Sequence, residues 1–241
     1  MSAATLKLGR FTASPCGGVA MSIHGQETVM RPSGALWLPE TRTLVVADLH
    51  LEKGSAFAVR GQLLPPYDSA ETLGRLEAET RATGARVVVL LGDSFHDARS
   101  EARMAASDGE AIRSLAVGRS LVWIVGNHDS EGPRSLPGDI LDEMDLGALR
   151  LRHEPFAGLQ PGEVAGHLHP CARLVGRGRA VRRRCFATDG QRLILPAFGA
   201  YAGGLNIRDR AYTGLFETPP LAIALGQGRA HPLAFGMLGD D

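Results

Sequence analysis

Cysteine is scarce in this chain and follows no pattern. Cys16, Cys171 and Cys185 are an odd number at irregular spacing in 241 residues. That argues against a disulfide framework and for a reducing compartment. The stretch Met1 to Arg10 lacks the apolar centre of a secretory leader. No run approaches the roughly 18 apolar residues that a membrane span requires, so the expected location is cytoplasmic. Net charge is absent as well: 26 Lys plus Arg balance 26 Asp plus Glu. The field of the whole molecule therefore favours no polyanionic partner, and any nucleic-acid affinity must come from a local patch. Gly and Pro are scattered, with no low-complexity linker and no internal repeat. A hydrophobic content of 44% supports a sizeable core, expected in one domain over residues 1–241.

Apolar runs then set the frame. Ala35 to Leu38 and Thr43 to Ala47 read as short strands around a turn, the second running into Asp48-Leu49-His50. Asp68 or Ser69 caps a helix that carries Leu73 and Leu76 and stops near Gly84. Arg86 to Leu91 and Leu121 to Val125 are continuous apolar runs, the pattern of strands buried on both faces. They end in Gly92-Asp93 and in Gly126-Asn127-His128-Asp129. Between them a helix is predicted from Ser100 to Leu115, and a short one follows around Ile140 to Met144. Leu149 to Arg152 leads into His153, and Glu163 to Ala165 into Gly166-His167-Leu168-His169. The ligand-bearing part thus spans about 35–170, and a strand-rich part follows over 171–241, with strands at Ala180 to Ala187, Arg192 to Leu195 and Leu221 to Leu225.

This arrangement puts polar groups at the carboxyl ends of strands, where open α/β sheets bind ligands. Asp48, His50, Asp93, Asn127, His128, His153, His167 and His169 gather there. Each fragment alone is commonplace: an isolated Gly-Asp is a turn, and an isolated His-x-His a surface pair. In this order they make a metal-binding set. Asp, His and Asn are borderline-to-hard donors that suit manganese, iron or zinc. Two cations side by side repel and require an anion between them, and Asp93, at the central strand end, is placed to bridge.

The order Asp48-Leu-His50, Gly92-Asp93, Gly126-Asn127-His128-Asp129, His153, Gly166-His167-Leu-His169 resembles the calcineurin-like metallophosphoesterases. The resemblance implies a four-layer α-β-β-α sandwich, two facing mixed sheets flanked by helices. It also implies two divalent metal ions: Asp48, His50 and His169 hold the first, Asn127, His153 and His167 the second, with Asp93 between. Manganese is the metal the resemblance favours. The stretches Asp48 to Gly54, Arg60-Gly61 through Tyr67, Gly92 to Asp97 and Leu195 to Gly199 resemble a narrower bacterial branch, the ligase-associated DNA damage response endonucleases. That branch implies a DNA phosphodiesterase in DNA repair, beside a helicase and an ATP-dependent DNA ligase. One departure stands out. Protein phosphatases of the wider group carry Asp-Arg where this chain has Phe95-His96-Asp97, so the arginine that clamps a phosphomonoester is missing there.

His128 is not needed as a ligand if the other seven serve, and is expected as the general acid for the leaving oxygen. Asp129 is expected to orient its imidazole. His24 and His231 read as surface residues, His96 as a neighbour of the site and Asp97 as a structural carboxylate. Glu52 and Lys53 read as a solvated pair, and Cys171 as a packed thiol despite lying close to His169. The basic run Arg177-Gly-Arg179 through Arg182, Arg183 and Arg184 is the one local charge anomaly. On a strand it points Arg182 and Arg184 to one face and Arg183 to the other. It fits either a DNA phosphate surface or an edge strand kept soluble by charge. Two other readings compete with the DNA phosphodiesterase: a phosphodiesterase or phosphatase for small molecules, and a non-catalytic scaffold. The scaffold is disfavoured because every ligand position and His128 are filled.

Overall fold

A computed structural model describes residues 11–176 and 178–241. Met1 to Arg10, read above as lacking a leader, and Arg177 of the basic run lie outside the described residues. The described chain begins with an antiparallel meander: β1 (Phe11–Ala13), β2 (Val19–Ile23), β3 (Gln26–Met30), β4 (Leu36–Leu38) and β5 (Thr43–Ala47). The first three strands were not expected. A two-residue turn, His24-Gly25, joins β2 to β3 with both residues at positive φ, the twist a tight hairpin needs.

From β5 the chain changes style. Helices α1 (Lys53–Val59) and α2 (Asp68–Thr83) lead to β6 (Val87–Leu91), and α3 (Ser100–Arg103) and α4 (Ala106–Ala116) lead to β7 (Ser120–Ile124). Strand β8 (Asp139–Leu141) completes an eight-stranded sheet in which β5, β6, β7 and β8 run parallel. The single helix expected over Ser100 to Leu115 is broken at Met104 and Ala105, both extended. Arg103 explains the break: its guanidinium is drawn back onto both Asp97 oxygens, at 3.0 and 2.9 Å, and its Nε reaches Ser55.

The short helix expected around Ile140 to Met144 is instead two strands, β8 and β9 (Glu143–Leu146). Ile140 pairs with Trp123 in the first sheet and Met144 with Leu151 in the second, so the chain changes sheets at Asp142. The second sheet continues with β10 (Leu149–Arg152), β11 (Glu163–Ala165), β12 (Pro170–Gly176), β13 (Arg179–Thr188), β14 (Leu193–Ile194), β15 (Leu205–Asn206), β16 (Leu221–Gly226) and β17 (Arg229–Leu233). β10, β11 and β14 are parallel within this mixed sheet.

Period-two alternation sorts the core. Val45, Ala47, Val89, Leu91, Val122 and Ile124 face the second sheet, where Leu151, Val164, Phe186 and Ile223 meet them. Their neighbours Leu44, Val46, Val88, Leu90, Leu121 and Trp123 face Leu73, Leu76, Ile112 and Leu115 of α2 and α4. The expected two facing mixed sheets are therefore present. On the far side of the second sheet the outer layer is two 3-10 turns, Arg210–Tyr212 and Phe235–Met237, with the segments around them; Tyr212 and Leu238 are buried there. No helix among the described residues is long and apolar enough to cross a membrane.

Candidate metal centre

The carboxyl ends of β5, β6 and β7 in one sheet and of β10 and β11 in the other converge on one point. There the seven expected ligands come together. Asp48, His50, Asp93, His167 and His169 all sit at positive φ, between 44° and 66°. A side chain in this left-handed region costs on the order of 1–2 kcal/mol, so the turns need support. The sheet supplies it by continuing beyond its strands. His50 N–H donates to the Asp93 carbonyl at 2.9 Å and Leu51 N–H to Ser94 at 2.8 Å, while Gly92 N–H donates to Ile124 at 3.0 Å.

Two glycines leave the space the ligands fill. A Cβ on Gly92 would lie 2.1 Å from His153 Nδ1, and one on Gly126 would lie 2.3 Å from both the amide nitrogen and Oδ1 of Asp93. Any larger residue at either place would displace a ligand.

The donors form two groups. Asp48, His50 and His169 make one, and Asp93, His153 and His167 the other, each with its atoms within 4.8 Å of one another. In the first, His50 Nε2 and His169 Nε2 are 3.3 Å apart, and His169 Nε2 is 3.4 Å from Asp48 Oδ1. In the second, His153 Nε2 lies 3.0 Å from Asn127 Oδ1, 3.2 Å from His167 Nδ1 and 3.4 Å from Asp93 Oδ1. Two ligands bonded at roughly 2.1 Å to one ion stand about 3.0–3.4 Å apart, so these separations are those of a coordination edge. Asp93 offers one oxygen to each side: Oδ1 faces His153, and Oδ2 lies 4.0 Å from His50 Nε2. A third group, His50, His96 and His128, is also close-set but holds no carboxylate, which makes it a poor seat for a cation beside another.

The electrostatics suit this use. Burial, with His169 close by, lowers the His50 pKa to about 3, so its ring is neutral and its lone pair free. Burial alone would raise the Asp93 carboxyl, but the His153 hydrogen bond and charge, the His128 amide and His50 outweigh it and hold the pKa at about 2. His50 Nδ1 is buried without a hydrogen-bond partner. Convergent lone pairs, anionic carboxylates and left-over polar atoms fit a divalent pair.

His128 stands apart, half exposed at the mouth. Its amide donates to Asp93 Oδ1 at 2.9 Å, and its Nδ1 lies 2.8 Å from the His96 carbonyl oxygen. Nε2 is then the free ring atom, 3.9 Å from Asp93 Oδ2. The expected Asp129 partner is not there. The Asp129 carboxylate is buried and accepts the amides of Gly126 and Phe95, at 3.0 and 3.1 Å, tying the loop after β7 to the loop after β6. The His96 carbonyl, and not Asp129, orients the imidazole. A backbone acceptor of this kind leaves no mark in a sequence.

Other expectations divide. His24 bonds Gln191 and His231 lies on β17, both outside the donor groups. Asp97 holds Arg103, a structural task. Glu52 is not solvated: it is buried and takes hydrogen bonds from the Ser69 and Ser55 hydroxyls, fixing α1 against α2, while Lys53 Nζ donates to the Tyr201 carbonyl. Arg184 donates to the carbonyls of Ala197 and Gly199, at 2.9 and 3.2 Å. Those residues lie along β5, where Phe198 N–H donates to Ala47 and Gly199 N–H to Asp48. Arg184 thus braces the turn that carries Asp48, a role its sequence neighbourhood of arginines concealed.

Among solved structures, a nuclease from Pseudomonas putida, named MPE, is similar to this chain at 28% identity and a TM-score of 0.70. The match covers 93% of this chain and 100% of that one. A second, the phosphoesterase YfcE from E. coli, overlays at 18% identity with a TM-score of 0.37, covering 80% of this chain and 98% of that one. No protein-family model matches the chain, and no curated protein matches it.

Proposed function

Starting from a chain with the metallophosphoesterase fold, we propose a two-metal-dependent phosphodiesterase that cleaves the DNA backbone and serves DNA repair. The observation that carries this reading is the pair of donor groups on either side of Asp93, each mixing carboxylate and imidazole, at the mouth of paired strand ends. Similarity to a nuclease over nearly the whole chain supports nucleic acid as the substrate.

Asp48, His50 and His169 would hold one ion, Asn127, His153 and His167 the other, and Asp93 both. Manganese, iron and zinc all suit such donors, with manganese our choice. Bound there, the ions supply Lewis acidity toward the phosphate oxygens and a water of lowered pKa. The chain's own contribution is positional. As the imidazolium, His128 gives its Nε2 proton to the leaving oxygen, while its Nδ1–H stays on the His96 carbonyl so that Nε2 alone faces the substrate. Asp129 fixes both loops that bear Asp93 and His128.

The test is hydrolysis by metal-stripped protein of bis-p-nitrophenyl phosphate and of single-stranded and duplex DNA, with manganese, zinc or magnesium restored in turn. Asp93→Ala is the blank. Metal-dependent cleavage of both the small diester and DNA, absent from the blank, is the expected result. Cleavage of the small diester alone would move the substrate to a small molecule, and no metal-dependent cleavage would overturn the reading.

A further inference from the structure

On the outer part of the second sheet, three arginines close on one two-residue segment. Arg173 of β12 donates to the Asp240 carbonyl, and Arg208, two residues past β15, donates to the Asp240 carboxylate. Arg182 of β13 lies 3.0 Å from Asp241 Oδ1, which also accepts from Asn206 at 3.3 Å. Arg173 and Arg182 are cross-strand partners, and β15 pairs with the other edge of β12. The guanidiniums therefore form a row over three neighbouring strands, spanning roughly 10 Å at the usual strand spacing. Two of the guanidiniums, Arg208 and Arg182, meet the Asp240 and Asp241 carboxylates, and the third, Arg173, meets the Asp240 carbonyl.

Its place matters. β12 begins one residue after His169, and Arg173 lies four residues on, about 13 Å along an extended strand. Arg182 also donates to the Gly204 carbonyl, and the next residue, Leu205, donates its amide to His169. The row and the metal centre thus share one strand and one adjoining segment.

The ion pairs are partly open to solvent: the side chains of Arg182 and Asp241 are 46% and 48% exposed. Pairs of this kind contribute little stability, and a multivalent anion can displace them. The backbone anchor sits just before them, where Asn206 donates to the Gly239 carbonyl and Gly239 N–H to Arg173. Asp240 and Asp241 can leave without undoing it.

We propose that Arg173, Arg182 and Arg208 form a phosphate-binding row for a nucleic-acid backbone, occupied in the free protein by Asp240 and Asp241 as a tethered mimic of two phosphates. This rests on the phosphodiesterase reading above. A strand that runs from the metal centre along β12 exchanges the carboxylates for its own phosphates. A diester too short to reach the row neither feels it nor has to displace anything.

The test uses full-length protein, manganese-loaded and in a His128→Ala background so that DNA survives the measurement. Asp240→Asn with Asp241→Asn should bind a labelled oligonucleotide severalfold more tightly at low salt. The dependence of log K on log salt should steepen by about 0.7–0.9 for each arginine freed. Adding Arg182→Ala should take back part of the gain. With His128 intact, the Asp240→Asn, Asp241→Asn protein should hydrolyse bis-p-nitrophenyl phosphate as fast as the parent. Unchanged DNA affinity and salt slope in a variant that hydrolyses the small diester normally would overturn the proposal. Failure of parent and variant alike on the small diester would instead count against the phosphodiesterase reading, and the binding measurement would still judge the row.

Discussion

At the scale of single residues, His128 and Gly92 separate chemistry from construction. His128 lies outside the two carboxylate-bearing donor groups, and only its amide holds Asp93. His128→Ala keeps that amide. The variant should retain its metal content while turnover falls by about 10²–10⁴-fold, the usual worth of a positioned proton donor. Metal analysis beside diester kinetics checks this, and metal loss would return His128 to the ligands. Gly92→Ala should do the opposite. Its φ of 72° disfavours any side chain, and the new Cβ would collide with His153. Bound metal per chain should fall and melting come earlier, whereas full metal occupancy would mean the turn yields more easily than its geometry indicates.

At the scale of elements, the Asp97–Arg103 clamp breaks one expected helix into α3 and α4. Burial raises the Asp97 carboxyl, but the Arg103 hydrogen bonds and charge and the Arg99 amide prevail and hold its pKa below the ordinary 3.8. A depressed carboxylate stabilises the fold above its unfolded pKa and loses that contribution as pH falls through the folded one. Asp97→Asn should therefore melt below the parent near pH 6, and the gap should close as pH drops below about 4. A gap that stays constant with pH would show that the clamp works through packing alone.

The elements also show what can be read without coordinates. β5, β6 and β7 were legible because burial on both faces writes an unbroken apolar run, and the ligands follow each run directly. The β2–β3 hairpin was not: Val19, Met21 and Ile23 alternate with Ala20 and Ser22, and its turn is His-Gly, a weak signal. The Ser100–Leu115 break depended on Arg103 reaching Asp97 and Ser55, a tertiary pull that local propensity does not register. Asp129 was misplaced for the same reason: its partners are amides, and backbone amides are invisible in side-chain patterns.

For the whole molecule, the centre draws donors from both sheets: Asp48, His50, Asp93 and Asn127 from one, and His153, His167 and His169 from the other. Metal binding should therefore stabilise the fold as a whole. A ligand at a hundredfold excess over its Kd adds about 2.7 kcal/mol, so manganese should raise the melting temperature of the metal-stripped protein by several degrees and leave Asp93→Ala nearly unmoved. Calorimetry with and without chelator checks it. Equal shifts in both proteins would mean the ion binds elsewhere.

The same division of donors has a consequence in time. Asp48 to Asn127 belong to strands made early in the chain, but nothing completes either half of the centre until β10 and β11 have docked across from them. Ion capture should therefore mark a late step of refolding. A chain caught with only its first sheet formed should pass manganese by, and the moment a refolding sample begins to retain the ion would date the closing of the seam between the sheets.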